Sequence, residues 1–467
     1  MRERGERQGG LRDFLRATVV PTLNNLTPRG FFLGAALVGG LVLVFLTPPF
    51  QVPDEPAHFF RAYSVSEGRL FVRVVNRIPG ERLPASLHRV VGTLVGEIPF
   101  HPENKIQPGS WRKARAIELD PEHRKYLQFT SAAQYSAFPY LPQAAGVAVG
   151  RWCGATPLTL LFLARLANLF VAVMLIYFAI RQLPAFRWLA VLLALTPMAM
   201  FLRSSVSADA LTTASAFLLT ATIAKLAFGP VSPKLARDLV VLAASAIAVC
   251  LTKPVYFPLV MAAAAVPASR LPARHRRLLN LGVFAISIAA VTAALLLAAP
   301  TVDAISYSAE LRLEEMLRRP FHVIHLVVTD LIVNSARYGA QFVGRLGWLD
   351  TPLPIPILLT YAACLLAFIV LDRDPSIEIA PWQRAIWAFA VAASLMAIGT
   401  AMYLFLGRIE GIQGRYFHPM ALAVVWIFHL SRWPRSRDNR WIPAIATILV
   451  GVSFVVTCVT IYHRYYG

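Results

Sequence analysis

The sequence predicts an all-α polytopic membrane protein, a bundle of about eleven transmembrane helices with a long first extracytoplasmic loop. Three observations predict it. Of the 467 residues 57% are hydrophobic and only 15% charged, and the mean hydropathy of +0.57 lies far above that of soluble domains. Apolar runs of about 20 residues, the length that crosses a bilayer, recur along the chain. Basic residues cluster between those runs. The net charge of +20 therefore reads as a positive-inside signature, and nucleic acid is set aside as a partner.

In order, the spans are 31–47, 156–180, 187–203, 208–228, 237–251, 255–268, 278–299, 354–371, 382–406, 417–431 and 441–462. The apolar segment 137–150 is short. The segment 321–334 carries His322, His325 and Asp330. Both read as half-span or interfacial helices, and counting them would give about twelve or thirteen. The N-terminal stretch 1–30 is basic and lacks a small-residue cleavage site, so the first span is retained.

The loops "RQLPAFR" (181–187), "PKLARD" (233–238), "SRLPARHRRLLN" (269–280) and "SRWPRSRDNR" (431–440) are basic. Alternating spans put all four in the cytoplasm. Two long loops, 48–136 and 300–353, then lie outside, flanking the membrane blocks 137–299 and 354–467. The proline-broken first loop reads as short amphipathic helices along the membrane face. Cys153, Cys250, Cys364 and Cys458 show no CxxC spacing and read as small buried apolar residues. No internal repeat supports an inverted-repeat transporter.

Every dense polar knot falls at an extracytoplasmic span end. "TPPFQVPDEPAHFFRAY" (47–63) carries Asp54, Glu55, His58 and Arg61. "RSSVSADAL" (203–211) carries Arg203 and Asp209, "TKPVY" (252–256) Lys253, and "GWLDTPLP" (347–354) Asp350. "GRIEGIQGRYFHP" (407–419) carries Arg408, Gln413, Arg415, Tyr416 and His418. Ionisable groups at membrane depth are costly and usually functional.

An ionised carboxylate from Asp54 or Glu55 could take a proton from a hydroxyl or hold a divalent cation. A mere helix-capping role for the pair is outweighed by the knots it faces. Arg203 and Asp209 fit a structural bridge and a phosphate–hydroxyl contact equally. Lys253 suits a phosphate or simple snorkelling to the interface. Arg408 and Arg415, in a glycine-rich turn, suit bidentate phosphate recognition, with Tyr416 and His418 as donors. The chain has no GxxxxGK[ST], HExxH or GxSxG motif, which excludes a phosphate-loop ATPase, a zinc protease of that type and a nucleophile-elbow hydrolase.

The motifs "TPPFQVPDEPAHFFRAYSVSEGRL", "YSAFPYLPQAAGVAVG", "LARLANLFVAV", "LTPMAMFLRSSVSADALT", "LTKPVYFPL", "GWLDTPLP" and "GIQGRYFHP" resemble, in order, the DUF2142 family of bacterial membrane proteins, which is grouped with class C glycosyltransferases. That resemblance implies a GT-C-like bundle in the bacterial inner membrane. The implied reaction moves a sugar from a polyprenyl-phosphate donor to a cell-envelope glycan, lipid or protein on the extracytoplasmic face. Asp54 looks like the general base with Glu55 its acidic neighbour, and Asp209 resembles a second acidic site. Lys253, Arg408 and Arg415 would neutralise the lipid phosphate. His58, Arg61, Arg203, Asp350, Gln413, Tyr416 and His418 would complete the substrate site. No cofactor is demanded, although the carboxylates could hold Mg or Mn; the DxD triplet of sugar-nucleotide enzymes is absent. The alternative is a transporter, flippase or assembly component for a lipid-linked glycan. Span centres nearly free of charge, with Arg165 and Lys225 read as lying near span ends, count against transport.

Overall fold

A computed structural model of the protein describes residues 26–305, 309–429 and 441–467. Among them seven helices are long and apolar enough to cross a membrane: Pro28–Leu46, Pro157–Gln182, Ala208–Phe228, Leu235–Thr252, Leu281–Ala298, Pro381–Leu406 and Trp441–Tyr465. Each coincides with an expected span. The other four expected spans are shorter or broken. Pro254–Ala265 and Ile355–Leu371 are short apolar helices. Segment 187–203 divides into Arg187–Ala194 and Pro197–Arg203. Pro197 cannot donate to a continuing helix, and Thr196 caps the second piece by accepting from the Ala199 amide at 3.3 Å. His418–Ile427 opens the expected span 417–431. The end of that span, the basic loop 431–440 and residues 1–25 of the basic N-terminus lie outside the described residues. Leu141–Trp152 and Pro320–Val333, with 12 and 14 residues, are too short to cross unaided.

Contacts between helix ends sort as alternating spans require. At one end of the bundle Gln383 donates to the Ala265 carbonyl at 2.8 Å, the Phe186 amide to Asp372 at 3.0 Å, and Arg384 to Ile427 at 2.8 Å. These link the ends read as cytoplasmic. At the other end Ser136 donates to Leu251 at 2.6 Å and the Trp348 indole to Phe50 at 3.2 Å.

The first long loop departs from the expectation of helices alone. Strands β1 (Arg73–Val75), β2 (Ile78–Pro84) and β3 (Arg124–Gln128) form an antiparallel sheet in the order β1-β2-β3. Pro79 and Pro84 disguise β2 as a broken coil. Gly80 allows close pairing, since a Cβ there would lie 2.4 Å from the Leu127 carbonyl oxygen. Two acids, buried Glu81 and half-buried Glu67, clamp the sheet to the preceding helix: Arg69 reaches Glu81 at 2.6 Å and Arg124 reaches Glu67 at 2.5 Å. The second long loop carries a two-stranded ribbon, β4 (Arg345–Leu346) and β5 (Thr351–Pro352). Asp350 at its turn pairs with Arg464 at 2.9 Å, tying that loop to the last span.

Candidate functional site

Four knots far apart in sequence meet in space. Asp54 Oδ2 accepts from Arg415 Nη2 at 3.1 Å. Arg415 Nε lies 3.6 Å from Asp209 Oδ2. The other Asp209 oxygen, Oδ1, accepts from Lys253 Nζ. The result is a chain of alternating charge, Asp54–Arg415–Asp209–Lys253, lining a cavity of about 440 Å³ together with His58, Ser131, Gln134, Tyr135 and Tyr416.

Local structure aims each group. Asp54 takes a left-handed conformation, φ 62°, which is uncommon for a residue with a side chain. The strain is held because the neighbouring Glu55 carboxylate accepts the Phe50 amide at 2.8 Å. Asp54 therefore leads the helix Glu55–Ser66 without capping it by its side chain. Ser207 caps Ala208–Phe228, accepting from the Asp209 amide at 3.1 Å, and so sets Asp209 in the first turn. Lys253 follows the last residue of Leu235–Thr252. Its ammonium sits 4.7 Å from the ring centre of Tyr135 and 5.1 Å from that of Tyr416, two cation–π contacts. Gly414 lets the turn bearing Arg415 press on the helix Ser335–Gly344. A Cβ there would lie 2.2 Å from the Tyr338 carbonyl oxygen.

Burial alone would raise the Asp54 carboxyl, but the charge and hydrogen bond of the Arg415 guanidinium, together with the Ser131 hydroxyl, pull it the other way. The group is held below the usual carboxylate range, and it is ionised. Burial pushes His58 down to about 4, so its imidazole is neutral; Nδ1 lies 2.8 Å from the Tyr140 hydroxyl. Burial works against the Lys253 charge, yet Asp209 holds the ammonium well above its ordinary value. Arg415 is likewise held charged against burial by Tyr416, Asp209 and Asp54. Its Nη1 and Nε make no hydrogen bond within the protein. Among the described residues no group of three or more His, Cys, Asp or Glu comes together.

Six of the residues singled out from sequence line this cavity: Asp54, His58, Asp209, Lys253, Arg415 and Tyr416. The other seven do not. Glu55 turns inward, because consecutive residues at a helix start project apart. It forms a fully buried pair with Arg165. Arg61 ties its helix to the following turn through the Arg69 and Leu70 carbonyls at 3.1 and 2.7 Å. Arg203 points into the bundle, donating to the Ala194 carbonyl. Asp350 is taken by Arg464, and Arg408 is exposed and pairs with Glu410 at 2.9 Å. Gln413 precedes the turn without facing the cavity, and His418 is buried against Phe342, ring centres 4.2 Å apart. The wall formed by Thr130, Ser131, Gln134 and Tyr135 escaped the sequence reading. Its only signal is polar side chains just ahead of the "SAFPY" stretch, with no charge to mark them.

A second, apolar cavity of about 170 Å³ adjoins the first and shares Gln134, Tyr135, Lys253, Met402, Phe405 and Tyr416 with it. Ala294, Leu295 and Ala298 wall it on one side, Ile398, Ala401 and Phe405 on the other. These come from two spans, so the polar cavity continues into an apolar groove at membrane depth.

No curated protein and no solved structure matches the chain. A family model described as a predicted membrane protein, DUF2142, matches residues 37–424, a stretch that contains all four members of the charge chain and both cavities. The chain belongs to the DUF2142 family of predicted membrane proteins.

Proposed function

We propose that the protein is a membrane glycosyltransferase using a polyprenyl-phosphate-linked sugar. The observation that carries this reading is the junction of a charged cavity with an apolar groove between two spans. A lipid-linked sugar has that division: isoprenoid chain, phosphate, sugar. The chain would lie against Ala294, Ala298 and Ile398. The phosphate would sit where groove and cavity meet, beside Lys253 and the spare donors of Arg415. The sugar would reach toward Ser131 and Asp54.

In the proposed step an acceptor hydroxyl oxygen bonds to the anomeric carbon. The bond from that carbon to the phosphate oxygen breaks, and the phosphate leaves with the electron pair. Asp54, ionised and one-third exposed to the cavity, takes the hydroxyl proton. Lys253 and Arg415 balance the charge growing on the departing phosphate. Asp209 touches both cations and positions them. The basic loops support an extracytoplasmic site in an inner membrane, with an envelope glycan, lipid or protein as acceptor.

The matched charges favour one other reading, a non-catalytic clamp in a protein that carries or helps assemble a lipid-linked glycan. Purified wild type and Asp54→Asn, incubated with a panel of polyprenyl-phosphate sugars with and without divalent metal, separate the two. Lipid-phosphate release by wild type alone supports transfer. Silence from both, with donor still bound, favours the clamp.

A further inference from the structure

A third cavity lies away from the charge chain, between the first long loop and the end of the last span. The helix Pro108–Arg115, "PGSWRKAR", carries Arg112, Lys113 and Arg115 and no acid. None of the three takes part in an ion pair between described residues, whereas Arg69 and Arg124 of the same loop pair with Glu81 and Glu67. Arg112, Arg115 and Trp111 line a cavity of about 370 Å³ with Ile106, Pro108 and Tyr466.

The height of this cavity in the bundle is fixed by hydrogen bonds. The Ile106 amide donates to the Tyr465 carbonyl at 2.9 Å. Lys105 Nζ donates to the His463 carbonyl at 2.6 Å, and Tyr466 donates to the Leu46 carbonyl at 3.1 Å. The cavity therefore stands where the first and last spans end, the level of a bilayer's headgroups. Trp and Tyr are the side chains suited to that boundary.

Below it an apolar track begins. Tyr466 stacks on Tyr462, ring centres 5.9 Å apart. From Tyr462 the last span bares Val459, Val455 and Val452, at helical spacing along one side, each about half exposed or more. A cationic cup with aromatic walls thus sits directly above a lipid-facing stripe.

We infer that this cup binds the headgroup of an acidic phospholipid of the outer leaflet, phosphate against Arg112 and Arg115 and one acyl chain along Tyr462, Val459 and Val455. Unpaired cations at a membrane boundary attract phosphate, and guanidinium grips it with two parallel donors. The site is independent of the glycosyl-transfer reading, because it shares no lining residue with the charged cavity.

The test uses the full-length protein in neutral detergent. Bound phosphatidylglycerol is counted by native mass spectrometry and by its shift of the thermal midpoint, with phosphatidylcholine and inorganic phosphate as comparison ligands. Wild type is expected to retain phosphatidylglycerol over phosphatidylcholine. The double variant Arg112→Gln/Arg115→Gln is expected to bind it roughly 30-fold more weakly, two contacts of about 1 kcal/mol each. Lys113→Gln, on the same helix but outside the cavity lining, is expected to bind like wild type. Equal retention by the double variant overturns the site. Equal stabilisation by inorganic phosphate overturns the lipid in favour of a free anion.

Discussion

Arg165 and Glu55 form a bidentate ion pair with no exposure on either side chain, Nε to Oε1 at 2.8 Å and Nη2 to Oε2 at 2.6 Å. The remaining donors of Arg165 close the end of the first span, reaching the carbonyls of Val44 and Thr47 at 2.8 Å and Pro48 at 3.1 Å. Glu55 also accepts the amides of Phe50 and Val206. Every donor of one partner is used, and both oxygens of the other.

Removing either partner strands a buried charge. Glu55→Gln and Arg165→Met are each expected to cost about 3–5 kcal/mol. A chemical-unfolding or thermal-unfolding series in detergent checks this. A loss below about 1 kcal/mol in either would contradict the buried geometry.

Asp54 is expected to behave in the opposite way. Its carboxylate is partly exposed and meets only one cation closely. Asp54→Asn should therefore leave expression and the unfolding midpoint near wild type while lowering sugar transfer about 100- to 10,000-fold. Initial rates of lipid-phosphate release, beside the melting curve of the same preparation, give both numbers.

The groove makes a prediction about chain length. Ala298→Trp fills the space between the two walling spans. It should raise KM for a long-chain donor and spare a donor whose isoprenoid chain is too short to enter. Equal impairment with both donors would place the lipid elsewhere.

His58 sets a pH dependence. Its folded value of about 4 lies below the unfolded value of 6.5. Between those values the unfolded chain binds the proton and the folded chain does not, so stability falls as pH drops from 6.5 to 4 and is fully present above 6.5. His58→Phe should flatten that part of the profile. The comparison is the difference between wild-type and variant midpoints at each pH, in which titrating groups not coupled to His58 cancel.

Gly414→Ala should damage both fold and site. The added methyl meets backbone on the neighbouring helix, which cannot swing aside as a side chain could. A cost of about 1–3 kcal/mol is expected, with donor affinity reduced because Arg415 is the next residue. Binding that survives intact would mean the turn yields without moving Arg415.

Charge at a span end is what made the site readable. Asp54, Asp209, Lys253 and Arg415 each interrupt an apolar run, and hydropathy alone exposes such interruptions. Direction was not readable. Asp54 and Glu55 look interchangeable as letters, yet the helix start sends one into the cavity and the other to Arg165. Arg165, read as lying near a span end, reaches back to the end of another span and is fully enclosed. Uncharged groups such as Ser131 and Tyr135 leave no trace in hydropathy. The small sheet was hidden because proline and glycine, which weaken a strand signal, sit inside β2. The seven long spans were legible because a helix pairs most of its backbone within itself, so that each can appear in the sequence as a long apolar run.

The charge chain also constrains how the protein can be made. Asp54 and Arg415 are 361 residues apart. At about 5–20 residues per second, roughly 20–70 s of synthesis separate them. Throughout that interval Asp54 has no guanidinium, and Asp209 and Lys253 have only each other. A chain that stops before the 407–419 turn lacks one whole wall of the cavity. The four-membered charge chain is thus complete only once the end of the bundle has been made, which makes its closure a mark of completed assembly.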